Sequence, residues 1–306
     1  IYMIPIVDLK RQYKQTGEEI EKAVVDVLRS GAYILGPNTK ALEQEFSQYL
    51  GTKHAIGLNS GTDALHLALR ALDIGKGDEV ITVAFTFVAT TESIEIVGAT
   101  PVFVDIDPDT FNMDVTQIED KITPRTKAIM PVHLYGQPAD MDVIMDIAKR
   151  HNLYVIEDCC QAVGAEYKGK KVGSFGDIGA YSFFPTKNLG GMGDGGMAVT
   201  NSDFLKDRMI ALRNHGGAVR YHHDEIGVNS RLDEIQSAIL RVKMNYIDEW
   251  NKMRREVAHR YTELFKDCED VITPKELDDT YCVYHQYTIK VPNRDAVQKM
   301  LQENGL

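Results

Sequence analysis

Leu153-Tyr-Val-Ile-Glu-Asp158 is a short apolar run closing on two acids, and Tyr181-Ser-Phe-Phe-Pro-Thr-Lys-Asn-Leu-Gly-Gly191 follows it downstream. The first stretch is too short for a helix and too apolar for a solvated edge. It reads as a buried strand that delivers a carboxylate at its carboxyl end. Similar runs at 54–58, 79–83, 101–104, 127–132, 178–183 and 196–200 alternate with helical segments. Such alternation predicts an α/β fold around a mostly parallel, seven-stranded sheet flanked by helices. Between the runs, Ala64, Leu65, Ala68, Leu69 and Leu72 recur at helical spacing, as do Met141, Ile144, Ile147 and Ala148. These are core faces rather than ligand contacts.

After Ser230 the period changes to one long helical stretch over 232–265, then a strand over 284–291 and a helix over 295–302. This reading divides the chain into a large domain, 1–240, and a linking helix with a smaller α+β C-terminal domain, 241–306. One strand and one helix make an incomplete layer, so the smaller domain is expected to be partial.

The 306 residues are 43% apolar and can bury a substantial core. A net charge of −11 disfavours nucleic acid or an anionic membrane as the main partner, since both require a basic face. Cys159, Cys160, Cys268 and Cys282 show no metal spacing, and reduced thiols of a cytoplasmic protein are the expectation. No leader-like segment or apolar run of about 18 residues occurs, which predicts a soluble chain.

Lys187 stands among apolar residues and glycines, downstream of the strand-end Asp158. That pairing suits pyridoxal phosphate (PLP): a lysine amine forms a Schiff base with the aldehyde, and a carboxylate keeps the pyridine nitrogen protonated so that the ring withdraws electrons. An ordinary surface lysine is the bland alternative, against which its flanking sequence argues. Ser60, Gly61 and Thr62 stand where the first strand hands over to a helix, a place for a phosphate, although a plain helix cap looks much the same. Phe85 and Phe87 follow the second strand and either stack on a flat ring or pack in the core. Gln161, three residues after Asp158, is a candidate for a cofactor ring hydroxyl, with a surface glutamine as the bland alternative. The glycines at 190–196 fit neither a P-loop nor a dinucleotide fingerprint, and are read as letting the chain turn tightly beyond Lys187. His215, His222 and His223 lack the spacing of a metal site, so no metal is expected; residues 216–227 read as a mobile substrate loop.

The segments SGTDAL (60–65), FTFVAT (85–90), EDCCQA (157–162), SFFPTKNLGGMGDGG (182–196) and GVNSRLDEIQSAIL (227–240) occur in this order. Together they resemble the DegT/DnrJ/StrS family of PLP-dependent nucleotide-sugar aminotransferases, within the fold-type-I aspartate aminotransferase superfamily. The resemblance implies that Lys187 forms the Schiff base and shuttles the proton, that Asp158 pairs with the pyridine nitrogen, Gln161 with the ring hydroxyl, and that Phe87 stacks on the ring. It implies phosphate binding by Gly61, Thr62 and Ser182, with Asn229 reaching the same phosphate from the neighbouring subunit of a homodimer. It further implies ping-pong transfer from an amino donor, glutamate, to a keto group of a nucleotide-linked hexose, as in amino-sugar and polysaccharide biosynthesis. Arg213 and Arg220 are candidates for the nucleotide's diphosphate. Many relatives carry His where Val163 stands, so no acid–base role passes to that position. The 133–140 region leans towards amination at C3. Against this stand a sugar dehydratase, which would replace the lysine with histidine, a non-catalytic sensor, which would need none of these groups intact, and an amino-acid lyase, which the sugar-type motifs disfavour.

Overall fold

The chain opens with two amphipathic helices, α1 (Leu9–Ser30) and α2 (Pro37–Leu50), each stopped by a left-handed glycine, Gly31 and Gly51. The computed structural model describes residues 4–217 and 222–306. Strand and helix then alternate as the sequence patterning requires: β1 (His54–Leu58), α3 (Gly61–Ala71), β2 (Glu79–Val83), α4 (Ala89–Ile96), β3 (Thr100–Val104), β4 (Thr126–Ile129), α5 (Met141–His151) and β5 (Tyr154–Asp158). A small hairpin, β6 (Glu166–Tyr167) and β7 (Lys170–Lys171), precedes β8 (Ile178–Ser182), β9 (Gly196–Thr200) and α6 (Asp203–Arg213). The remainder is α7 (Glu234–Met244), α8 (Ile247–Phe265), β10 (Thr280–Tyr281) and α9 (Arg294–Glu303).

The main sheet has the seven expected strands, in the order β1-β9-β8-β5-β4-β2-β3. Pairings from β8 through to β3 are parallel, whereas β9 is antiparallel to both β8 and β1. Six strands therefore run one way and β9 the other. The carboxyl ends of β1, β2, β5 and β8 share one edge with the start of β9, which is where open α/β sheets gather ligands. On one face, α3 and α6 bury Leu65, Leu69, Met209 and Leu212 against Ile156, Ile178 and Ala198. Met141, Ile144 and Ile147 of α5 pack with Ile81, Ile129 and Val155 in a second cluster. A third cluster joins Leu42 and Phe46 of α2, Leu240 of α7, and Tyr181, Phe183 and Met197.

Two expectations fail beyond residue 230. The single helix over 232–265 is two helices, because the chain turns at Asn245–Tyr246, where the backbone bonds shorten to Val242 and Lys243 and Tyr246 stacks on Trp250. The strand expected over 284–291 does not form. Tyr284 has φ 41°, incompatible with an extended run, and the Val283 and Gln286 amides donate to Gly136 and Tyr135 instead of to a neighbouring strand. Strand pairing there is limited to β10, which joins β6 and β7 in a small antiparallel sheet, and to isolated bridges between Ile272 and Lys290 and between Asp233 and Ile34.

Candidate active site

Asp158, the last residue of β5, is 5% exposed. Its Oδ2 accepts the Thr90 hydroxyl at 2.8 Å and its Oδ1 the Cys160 amide at 3.1 Å. Both donors are neutral, and no lysine or arginine among the described residues pairs with this carboxylate. A buried carboxylate held this way is made for a cation or a charged N–H that arrives from elsewhere. Thr90 was not singled out in the sequence, although its place in FTFVAT, in the first turn of a helix beginning at the end of β2, was the available signal.

Beside Asp158, β1 hands over to α3. Ser60 caps the helix, its hydroxyl accepting from the Asp63 amide at 3.1 Å, which leaves the Gly61 and Thr62 amides as open donors at the first turn. A Cβ at Gly61 would stand 2.7 Å from Ser182 Cβ and 2.8 Å from Cys160 Sγ, so only glycine lets the three segments meet. The register brings them together: Gly196 of β9 lies opposite Leu58 on one side and Ser182 on the other. Burial and the Asp158 charge push the Cys160 thiol well up, while the Lys187 charge pulls it back, which sets this side chain among Gly61, Asp158 and Lys187. Its place in the site was not legible from the vicinal pair.

Lys187 is half-buried, in a segment fastened along its length. Its amide donates to Phe184 O, and the Gly191 amide to Phe183 O at 2.7 Å. From α7, the Lys243 amine donates to Gly190 O at 2.7 Å and Gln236 Oε1 accepts the Met192 amide at 2.8 Å. A Cβ on Gly190 would collide with the Pro185 carbonyl, so the tight turn expected of these glycines is present. Asn188 is buried and donates to Asn251 Oδ1 of α8 and to Val283 O. Gln161 Oε1 accepts the Tyr135 amide at 2.8 Å, an assignment that turns its NH₂ group the other way.

Phe87 is 67% exposed, and Phe85 packs edgewise on Tyr135 while remaining partly open, so neither belongs to the core. Asn229 is also exposed; its neighbour Ser230 is buried and exchanges hydrogen bonds with Asn59, the residue before Ser60. The structure thus gathers Gly61, Thr62, Asp158, Ser182 and Lys187 at one edge, with Gln161 following Cys160, and leaves Phe87 and Asn229 with exposed side chains. Arg213 is a correction: it is buried in α6, bonded to Glu43 and Gly57 O, and is not free to meet a diphosphate. Arg220 lies outside the described residues.

His133, Glu157 and Cys159 form a buried cluster with metal-ligand chemistry. Their hydrogen bonds assign them another task. Glu157 accepts the amides of Gly173, Phe175 and Gly176 and the Nε2–H of His133, whose Nδ1 in turn accepts from the Ala139 amide. Burial also raises the Cys159 thiol well above its ordinary value. The cluster is a structural tie beneath the sheet edge. No helix among the described residues is long and apolar enough to cross a membrane.

Residues 14–306 match the DegT/DnrJ/EryC1/StrS aminotransferase family. The chain is 53% identical over 305 residues to a "Pleiotropic regulatory protein" of Geobacillus stearothermophilus, covering 99% of this chain and 82% of that one. It is 50% identical over 303 residues to a UDP-N-acetyl-3-dehydro-alpha-D-glucosamine 3-aminotransferase of Acidithiobacillus ferrooxidans, with the same 99% and 82% coverage. The crystal structure of DesV from S. venezuelae, in complex with a ketimine intermediate, superposes with a TM-score of 0.98 at 43% identity over 100% of this chain and 82% of DesV. NtdA from Bacillus subtilis, solved with the cofactor PMP bound, matches at 0.92 and 35% identity, over 99% and 70%. With a sheet edge that brings a buried acid, a fastened lysine and an open helix start together, and with relatives matched along nearly its whole length, the chain belongs to the DegT/DnrJ/EryC1/StrS aminotransferase family.

Proposed function

We propose that this aminotransferase uses PLP to carry an amino group from glutamate to the keto group of a nucleotide-linked hexose, at C3, in a cytoplasmic route to amino sugars. The observation that carries the reading is the Asp158 carboxylate, buried with two neutral donors and no cation among the described residues, on the same sheet edge as Lys187 and the Gly61–Thr62 amides. Bound PLP would supply an aldehyde for a lysine and a ring whose protonated nitrogen withdraws electrons. The remaining work falls to the protein. Asp158 would hold that proton on the ring nitrogen, with Thr90 and the Cys160 amide fixing its orientation. The Gly61 and Thr62 amides and the Ser182 hydroxyl would take the phosphate, and the Gln161 NH₂ group would donate to the ring oxygen. Lys187 Nζ would take the proton from the donor's carbon and return it at the neighbouring position, a shuttle that requires a neutral amine.

The exposed Phe87 fits a flat ring set against it, and the exposed Asn229 fits a second copy of the chain. Phe87 would cover the ring face, and Asn229 of one subunit would reach the phosphate of the other, so the active unit is a homodimer. The regulatory name borne by the Geobacillus protein suggests a ligand-sensing role as the second reading. The retained lysine and acid favour catalysis, which a sensor does not need. The test is the visible absorbance of the purified protein with PLP, before and after glutamate, beside Lys187→Ala. The expected result is a lysine-bound PLP band in the wild type only, replaced by a pyridoxamine phosphate spectrum on adding glutamate. A protein that binds PLP without reacting with any amino donor favours the sensor.

A further inference from the structure

The segment that leads to Asn229 is fastened before it arrives. Residues 212–217 and 222–230 are laced together: the His215 amide donates to Val228 O at 3.0 Å, the Val228 amide to Leu212 O at 2.8 Å and the Ser230 amide to Arg213 O at 3.1 Å, and Asn214 pairs with Asn229 in an isolated bridge. A Cβ on Gly216 would collide with the Glu225 carbonyl, so the two backbones touch there. Two arginines on the neighbouring helices hold the same place. Arg70, in the last turn of α3, donates to Ile226 O. Arg208 of α6 binds Glu225 through Nη2 at 3.5 Å, while its Nη1 holds Asp73 at 2.7 Å and Ala71 O at 3.2 Å, where α3 ends. Packing contributes little here: the Ile226 side chain is 86% exposed, and a cavity of about 440 Å³ opens between 225–226 and the helices α3, α4 and α6.

We propose that Arg70 and Arg208 are positioning residues for Asn229: from α3 and α6 of one subunit they set the path of residues 225–229, and so present that subunit's Asn229 to the phosphate held by the other. The inference rests on the PLP and homodimer reading above. The Asn229 side chain is exposed, so the direction of its amide group is left to the backbone that carries it. Arginine suits the task because a guanidinium offers several donors in a fixed plane, and Arg208 spends them on a carbonyl and two carboxylates at once.

PLP affinity is read from the visible band as the cofactor is titrated into protein stripped of it. Arg70→Met removes the donor to Ile226 O and is expected to weaken PLP roughly fivefold to tenfold, the loss of one hydrogen bond. Glu225→Gln loosens the same segment from Arg208 without touching the helices, with an expected loss of about twofold, and it replaces Arg70→Met in every arm if that variant does not fold. The deciding measurement is a hybrid dimer in which one subunit carries Arg70→Met and the other Lys187→Ala. Only the site with the intact lysine gives a band, and its Asn229 then comes from the subunit whose Arg70 is intact. Wild-type affinity is expected to return in this hybrid. A hybrid as weak as the Arg70→Met homodimer shows that Arg70 acts within its own subunit's site and overturns the inference, as does wild-type affinity in both Arg70→Met and Glu225→Gln. Asn229→Ala is measured alone and in the same hybrid. If it leaves PLP affinity unchanged, or weakens it without recovery in the hybrid, the homodimer reading falls and this inference with it.

Discussion

The two sides of the site are built differently. On one side the Lys187 segment is bonded from α7 through Gln236 and Lys243 and from α8 through Asn251, over the buried Glu157–His133 tie. On the other, Phe87 and Asn229 have exposed side chains, and beside Asn229 it is the Ser230 hydroxyl that is bonded to Asn59. In the proposed reaction the lysine has to meet one atom in one geometry, and the buried network fastens its segment within a single chain. The exposed side is the part expected to await a partner. Substitutions on the first side should therefore alter folding and cofactor together, and those on the second the cofactor alone.

The largest effect is expected at Glu157. Replacing it with Leu strands three amides and the His133 Nε2–H in a dry interior, and chemical denaturation should show a loss of roughly 3–5 kcal/mol. Gly61→Ala comes next: its methyl group must displace Ser182 or Cys160, with an expected loss of roughly 1–3 kcal/mol in thermal unfolding and weaker PLP retention by equilibrium dialysis. An effect of similar size, with a pH signature, is expected at Lys243, 2% exposed and pushed down to about 8 from 10.5 by burial. Below pH 8 both the folded and unfolded states carry its proton, and the fold bears the whole burial penalty. Between about 8 and 10.5 the folded amine gives up the proton and the unfolded one keeps it, so the penalty fades. Measured against Lys243→Met, wild-type stability should rise with pH across that window; a flat difference would show that the amine is not strained by burial.

The smallest effect on folding is expected at Asn229. Asn229→Ala should leave thermal stability within about 0.5 kcal/mol, as surface changes do, while loosening PLP in a manner that depends on protein concentration. Unchanged PLP affinity would erase the contrast between the two sides and remove Asn229 from the phosphate site.

The sheet was legible because buried strands are written in short apolar runs: β1, β2 and β9 coincide with the expected 54–58, 79–83 and 196–200, and the other four differ at their ends. Asp158 and Lys187 stood out for a similar reason, a charge set directly against an apolar run. Beyond residue 230 the same reading over-extended. The backbone donors of 283–286 are taken by the Tyr135–Gly136 turn, a partner remote in sequence, and no local pattern announces that.

By itself the sequence determined the α/β alternation, the strand-end acid, the lysine and the glycine at the start of α3, because each is a local contrast of polarity or backbone freedom. Tertiary structure alone decided that Arg213 is a buried tie to Glu43, that Thr90 and Cys160 hold the Asp158 carboxylate, and that Arg70 and Arg208 fasten the segment leading to Asn229. Those outcomes depend on which donor faces which acceptor across long stretches of chain, and hydrogen-bond direction is settled only when the partners meet.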